Sequence, residues 1–165
     1  MLGKAEKNPQ LDLLKVQLVH FINPEHELCK LAAKINWDSV EIDLAKYYSP
    51  KGAPSVPIRT MVGLTILKQV FKYGEKHAIQ YWLENPYWQY FCGEIYFQYK
   101  PPFYFHDFSS FRKRIGSEGY SKIIKLSTEV FGKEGAKAFR SRREKYTKVI
   151  PTGAIKRMFS RIRFK

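Results

Sequence analysis

The stretch best suited to bind another molecule is FHDFSSFRKRIG, residues 105–116, which sets three consecutive cations beside an apolar pattern. Its hydrophobic residues recur at the i, i+3 and i+7 spacing of one helix face, namely Phe108, Phe111 and Ile115. Arg112, Lys113 and Arg114 then fan over an arc that must lie partly away from the core. Such a basic helix can contact nucleic-acid phosphates or enter a groove. A solvated amphipathic helix would have the same pattern.

A helix start is predicted just before these cations. Asp107 or Ser109 can cap it by accepting hydrogen bonds from the unpaired N–H groups of the first turn. Ser109 and Ser110 are then expected near the DNA backbone, beside the three cations. His106 next to Asp107 could suggest a catalytic base, but the helix start explains Asp107 more simply.

The charge of the chain favours a polyanionic partner. The formal net charge is +14, and residues 133–165 contribute most of it, with twelve lysines and arginines against two glutamates. Each phosphate that a cation neutralises releases condensed counterions, so double-stranded DNA is the predicted partner. A membrane surface is the competing explanation, but Pro151 and Gly153 interrupt the tail. Four tail residues are predicted to form a sequence-independent clamp: Arg140, Arg142, Arg143 and Lys145.

Length and composition restrict the class of protein. A chain of 165 residues with 44% hydrophobic residues forms one domain, or one domain with an appendage. No apolar run approaches the roughly 18–20 residues of a membrane span, and no secretory signal is evident. The expected location is therefore the cytoplasm, in association with the nucleoid. Cys29 and Cys92 are far apart and are predicted to be buried thiols rather than a disulfide or a zinc site.

The hydrophobic pattern predicts an all-α fold, a small helical bundle with helix-turn-helix-like character and a basic, partly disordered C-terminal tail. A first helix is predicted from Pro24, and a second one is predicted to be capped by Asp38 and to bury one apolar face. The members of that face are Val40, Ile42, Leu44 and Tyr47. After a proline-rich connector, residues 58–73 read apolar almost all round, which is typical of a central buried helix.

Further helices are predicted on either side of an aromatic loop. The central helix should end at Gly74 in the left-handed conformation, and its charged exceptions Arg59 and Lys68 must reach the surface or a partner. Arg59 is included among the predicted DNA contacts. Residues 75–84 and a turn from Pro86 continue the bundle, and residues 93–105 are predicted to form a loop. The basic helix should end at Gly116 and Gly119, before a last helix over residues 118–130.

Several ordered blocks resemble the N-terminal region of bacterial DDE transposases of the insertion-sequence-five-like group. The longest and most specific block is WLENPYWQYFCGE at residues 82–94. Shorter blocks are INW at 35–37, YSPKGAP at 48–54, PIRTMVGL at 57–64 and FRKRIG at 111–116. The resemblance covers residues 15–131 and implies a helical domain there that recognises the element's terminal DNA. Residues 1–14 are expected to form a flexible N-terminus, and residues 132–165 a basic tail that is the remnant of an interrupted catalytic region.

The chain departs from that family pattern after Val130. Family members continue into a ribonuclease-H-like domain whose carboxylates hold two divalent metals, whereas only Glu134 and Glu144 follow here, among cations. Asp38, Glu41 and Asp43 are spaced for a solvated helix face rather than a metal site. We therefore expect no catalytic or metal-binding residues, no cofactor and no enzyme activity. The expectation is a truncated, internally deleted transposase that binds DNA.

Other functions remain open at the level of sequence. The chain could be an interaction partner that inhibits an intact transposase by forming mixed oligomers with it, or associate with itself. Exposed apolar surface is then expected in the aromatic segment 96–105. An active nuclease and a decaying remnant without a selected role are the remaining alternatives.

Overall fold

A computed structural model describes residues 16–49 and 55–147, with side chains described through Gly132. Within these ranges a 3-10 turn at Leu18–His20 precedes six α-helices. They are α1 (Glu27–Lys34), α2 (Trp37–Ala45), α3 (Ile58–Phe71), α4 (Glu75–Glu84), α5 (Pro86–Phe91) and α6 (Asp107–Thr147). The described β-structure is one isolated antiparallel bridge between Gln17 and Tyr96. The predicted all-α class is confirmed, whereas the helix-turn-helix character stays a prediction.

Helix α3 is the centre of the bundle, as its apolar pattern predicted. Eleven of its fourteen residues are buried, and it packs against α2, α4, α5 and α6. Its predicted end at Gly74 is wrong, because Lys72 takes the left-handed conformation with φ 53°. The Tyr73 N–H donates to the Lys68 carbonyl at 2.9 Å, which satisfies a helix-end carbonyl. Gly74 instead precedes α4 as its N-cap.

Both predicted starts of the first two helices need correction. Helix α1 begins at Glu27 rather than Pro24, because the Asn23 side chain accepts the Glu25 N–H at 2.9 Å and holds the intervening residues in a turn. Helix α2 is capped by Asn36, whose Oδ1 accepts the Ser39 N–H at 3.1 Å. Asp38, the predicted cap, lies in the first turn, where its charge complements the positive helix end.

The predicted apolar face of α2 is only partly buried. Leu44 lies in the core, and Val40 and Tyr47 pack against it while remaining half-exposed. Ile42 is 74% exposed, so its assignment to the core-facing stripe is wrong. The helix packs against α3, and a residue two positions before Leu44 points well away from that contact.

Helix α6 is interrupted twice by glycines. The backbone leaves the helical region at Gly116 (φ 64°, ψ −170°) and Gly132 (φ 61°, ψ 169°), which leaves helical segments over 107–115, 117–131 and 133–147. The predicted break at Gly116 is confirmed, and the positive φ explains why a glycine stands there. Gly119 lies inside the second segment rather than at an end. The helix continues to Thr147, past the point where the sequence predicted a partly disordered tail, and residues 1–14 and 148–165 lie outside the described part.

Candidate nucleic-acid interface

The segment 107–115 is fixed to the core by one face and exposes its cations on the other. Phe108, Phe111 and Ile115 are buried, as predicted. Arg112, Lys113 and Arg114 are all exposed. The three cations therefore stand on a firmly packed helical turn, which lowers the conformational entropy that a ligand would have to remove.

Two aromatic rings orient the arginines of this segment. The Arg112 guanidinium lies 4.4 Å from the centroid of the Tyr120 ring, and that of Arg114 lies 4.8 Å from the Tyr48 ring. A guanidinium stacked on a ring keeps hydrogen-bond donors at its edge, where a phosphate oxygen can accept them. Burial raises the pKa of the Tyr48 hydroxyl, although its hydrogen bond with Arg114 opposes this. We call these two tyrosines and the cations 112–114 the basic surface.

An acidic residue beside the basic surface is neutralised by two lysines. The Glu118 carboxylate lies 3.2 Å from the Lys46 ammonium and 3.5 Å from that of Lys122. The hydrogen bond from Lys46, followed by the charge of Lys46 and the contacts with Lys122, lowers the pKa of Glu118. The carboxylate is therefore ionised at neutral pH, but its charge is compensated locally and offers little repulsion to an approaching anion.

The predicted cap of this helix is wrong in its details. Asp107 is the first helical residue, and its Oδ2 accepts the N–H of Tyr104 at 2.9 Å, three residues earlier. Ser109 lies within the first turn rather than before it. Ser109 and Ser110 are exposed beside the cations, where they were expected. The clamp residues Arg140, Arg142, Arg143 and Lys145 lie on the helical backbone up to Thr147, and their side chains are outside the described part.

Arg59 lies in a different environment from the other predicted DNA contacts. It is half-buried at the start of α3, with its guanidinium 4.7 Å from the centroid of the Trp37 ring. Gly93 also packs against the Arg59 side chain: a Cβ built on the Gly93 backbone (φ +93°) would lie 2.6 Å from the Arg59 Cδ. The buried Nε of Arg59 has no hydrogen-bond partner among the described residues. Burial lowers the pKa of this guanidinium, opposed mainly by the nearby Cys92 and Tyr90.

A cavity of about 400 Å³ opens beside Arg59, and Glu94 lines it. Burial raises the pKa of the Glu94 carboxyl to about 7, although the positive charge of Arg59 opposes the shift. Val19 and Ile95 form an exposed apolar rim. We call this cavity the Arg59 pocket. It combines one arginine with one weakly acidic carboxyl, and so offers less net positive charge than the basic surface.

The tyrosines of the basic surface are the residues that sequence reasoning missed. Tyr48 lies 66 residues before Arg114 in the sequence, and no local pattern pairs them. Tyr120 lies eight residues after Arg112, about two helical turns, but the break at Gly116 changes the geometry that an unbroken helix would give. Glu94 carried no signal either, because its raised pKa depends on burial by residues distant in sequence.

The candidate acidic residues of the sequence lie on the surface. Asp38, Glu41 and Asp43 are exposed on or beside the outer face of α2. Across residues 16–49 and 55–132, whose side chains are described, no three histidine, cysteine, aspartate or glutamate side chains group closely enough to hold a metal ion. Cys29 and Cys92 are free and buried, as predicted. No helix in the described ranges is long and apolar enough to cross a membrane.

The fold and its exposed cations define a small helical protein with a basic surface. The Transposase domain family (DUF772) matches residues 16–114, and the chain belongs to this family. The resemblance to transposases is thereby confirmed, and the matched range includes the basic surface except for Tyr120.

One curated relative is also similar to this chain over most of its length. The chain is 38% identical over 118 residues to a protein of Rhizobium meliloti described as uncharacterized protein ORF8 in the nfe locus. The alignment covers 72% of this chain and 57% of that relative, so the chain spans little more than half of the relative's length. No solved structure matches the chain.

Proposed function

We propose that this transposase-family chain binds double-stranded DNA through the basic surface, for recognition of the ends of a mobile element. The single observation that carries the proposal is the stacking of Arg112 and Arg114 on Tyr120 and Tyr48, which leaves both guanidinium groups exposed on a fixed helical turn. Ser109 and Ser110 lie beside them as further donors to phosphate oxygens. Membership of the transposase family supports the same conclusion.

The charge of the chain supports a contribution from its C-terminal residues. Arg140, Arg142, Arg143 and Lys145 follow the basic surface on the same helix, which is described as far as Thr147. We propose that they add sequence-independent phosphate contacts. With about six contacts in total, log K for duplex DNA should fall with a slope of about −5 against log salt.

A mobility-shift or anisotropy titration over a range of salt concentrations tests this proposal. Replacing Arg112 and Arg114 together by alanine should weaken duplex binding about tenfold or more and reduce the salt slope by about two. Lys30→Ala with Lys34→Ala on α1 is the matched control, because it removes the same charge from another exposed part of the molecule. Equal losses in the two double variants, or binding that ignores salt, would contradict the proposal.

We further propose that this chain binds DNA without cleaving it. The exposed, solvated positions of Asp38, Glu41 and Asp43 support this, because two-metal cleavage needs carboxylates that converge on one site. Incubation of end-bearing DNA with the chain and Mg²⁺ or Mn²⁺ should yield neither nicks nor joined strands. A metal-dependent product that disappears on chelation would overturn this part of the proposal.

An interaction with an intact transposase is the second candidate function. Four exposed apolar side chains near the Gln17–Tyr96 bridge favour it: Val16, Val19, Phe21 and Ile95. Exposed apolar patches of this kind mark protein interfaces more often than isolated surface residues do. Sedimentation of the chain with an intact transposase, before and after Val19→Ser with Phe21→Ser, separates mixed oligomers from simple DNA binding.

A further inference from the structure

The loop between α5 and α6 exposes aromatic rings directly before the basic surface. Tyr99 is 85% exposed and Tyr104 is 70% exposed. Phe105 is also exposed, and the His106 ring lies parallel to that of Tyr104 with the centroids 5.6 Å apart. We call residues 97–106 the aromatic loop. Large exposed rings grouped in one segment are costly in water and indicate a surface that binds a partner.

The aromatic loop is anchored at two points, so its rings are held in place. The buried Gln89 side chain donates to the Gln98 carbonyl at 2.9 Å and accepts the Gln98 N–H at 2.7 Å. Five residues further on, Phe103 is buried edge-on to Phe108, with ring centroids 5.1 Å apart. Pro101 between the anchors restricts the backbone. Rings presented on an anchored loop lose less entropy on binding than rings on a slack one.

The charges around the aromatic loop suit a nucleic acid. Lys100 is exposed within the loop, and the Lys76 ammonium lies 4.7 Å from the centroid of the Phe105 ring. Glu75, the nearest acidic residue on α4, is paired with Lys68 at 3.3 Å. Asp107 is engaged by the Tyr104 N–H. A polyanion that presents flat π-faces beside its charges is complementary to this combination.

The aromatic loop leads directly into the helix that carries the basic surface. Arg112 follows Asp107, the first helical residue, by five residues, about 7.5 Å along the helix, a length that a strand covers in about two base steps of 3.4 Å. A strand whose phosphates contact Arg112 and Lys113 can therefore bring its next bases to the start of this helix, where the aromatic loop ends. Bases can stack on these rings only where they are unpaired, because a paired base offers its faces to its neighbours.

We propose that the aromatic loop stacks unpaired bases of the DNA that the basic surface holds. The ligand is a DNA strand with an interrupted or opened duplex, and Tyr99 and Tyr104 are its stacking platforms. This inference rests on the proposed function, since the basic surface supplies the phosphate contacts. It adds a preference for distorted or partly single-stranded DNA that phosphate contacts alone do not give.

The test compares a continuous duplex with the same duplex carrying a short single-stranded gap, each with 2-aminopurine at the centre. The full chain should bind the gapped DNA about tenfold more tightly and quench the fluorescence of the unpaired base. Tyr99→Ala with Tyr104→Ala should abolish both the preference and the quenching. The corresponding phenylalanine variants should keep both, because stacking needs the ring and not the hydroxyl. Ile42→Ala, at an exposed apolar side chain outside the loop, is the matched control.

The possible outcomes separate the inference from the proposed function. Salt-dependent duplex binding with no preference for the gap would overturn the inference and leave the proposed function intact. Tyrosine-dependent binding of gapped DNA without duplex binding would support the inference and contradict the proposed function. If the alanine variants instead abolish self-association in sedimentation, the loop is a protein interface and the inference fails. Both tyrosines are exposed, so unchanged unfolding midpoints should exclude misfolding of the variants.

Discussion

Arg59 and Arg114 lie at nearly the same distance from an aromatic ring, 4.7 Å and 4.8 Å, but in opposite surroundings. Arg114 is exposed on the basic surface, whereas Arg59 is half-buried between Trp37 and the backbone of Gly93. Stacking on a ring fixes the position of a guanidinium in both places. Exposure, rather than stacking, therefore decides whether the fixed charge is available to a large anion.

The pKa values of the carboxyl groups in the two regions are also shifted in opposite directions. Glu118 beside the basic surface is exposed and its pKa is lowered by lysines. Glu94 in the Arg59 pocket is partly buried and its pKa is raised to about 7. A pocket that holds a proton on its carboxyl near neutral pH is dominated by desolvation, while the basic surface is dominated by interactions between solvated charges. Variants in the pocket should therefore change stability, and variants on the surface should change binding.

The largest effect is expected from Gly93→Ala, which disrupts the Arg59 pocket. The Gly93 backbone has a positive φ, which disfavours any side chain at this position. The new Cβ would also push the Arg59 side chain off the Trp37 ring. We expect the free energy of unfolding to fall by about 2–3 kcal/mol, measured by chemical denaturation. Gly74→Ala is the control, because its Cβ would meet only the His77 Nδ1 at 3.7 Å. If both variants lose a similar unfolding free energy, a side chain at position 93 creates no additional strain against Arg59.

Arg59→Met and Arg112→Met compare the two environments directly. Methionine keeps an apolar stem against the Trp37 ring, so Arg59→Met should leave duplex affinity within about twofold. Arg112→Met should weaken duplex binding several-fold and reduce the salt slope by about one. Salt titrations of both variants measure this difference. The sequence predicted Arg59 as a DNA contact, and a reduced salt slope in Arg59→Met would place the Arg59 pocket within the interface.

Glu94→Gln should make the protein more stable above neutral pH. The folded state holds the Glu94 proton up to about pH 7, whereas the unfolded chain releases it near pH 4.5, so this group destabilises the fold progressively between those values. We expect the glutamine variant to exceed the native protein by about 1–2 kcal/mol at pH 8 and to match it at pH 4. Attraction between the ionised Glu94 carboxylate and Arg59 stabilises the native protein, which limits the gain in unfolding free energy of the glutamine variant. Parallel stability curves at all pH values would contradict the raised pKa.

The buried parts of the fold were predictable from sequence wherever a single periodic pattern decided them. The apolar run of α3 and the spacing of Phe108, Phe111 and Ile115 both gave the correct buried faces. Helix ends were less predictable, because two neighbouring residues could each cap. Asn36 caps α2 although Asp38 is an equally good candidate, and the sequence cannot say which one the tertiary contacts favour.

For the basic surface and the Arg59 pocket, the sequence predicted which residues are cations, but it predicted their burial only in part. The exposed cations of residues 112–114 follow from the helical face that Phe111 and Ile115 bury. The half-burial of Arg59 did not follow from local pattern, since it depends on Trp37 and Gly93, which lie far away in sequence. Long-range contacts of this kind produce no periodic pattern in the sequence. A prediction of DNA contacts from charge alone therefore could not distinguish the half-buried Arg59 from the exposed Arg112.

The smallest effect is expected at Tyr48, which orients Arg114. Tyr48→Leu removes the ring beneath the guanidinium and should weaken duplex binding by a factor of about two to five, since an exposed cation–π contact contributes about 0.5–1 kcal/mol. Tyr48→Phe keeps the ring and loses only the hydrogen bond with Arg114. Its duplex affinity should therefore lie between that of the native protein and that of Tyr48→Leu. Titrations at one fixed salt concentration rank the three proteins. If Tyr48→Leu binds as well as the native chain, exposure alone is sufficient for Arg114 to contact DNA, and the aromatic support that the two regions share has no part in binding.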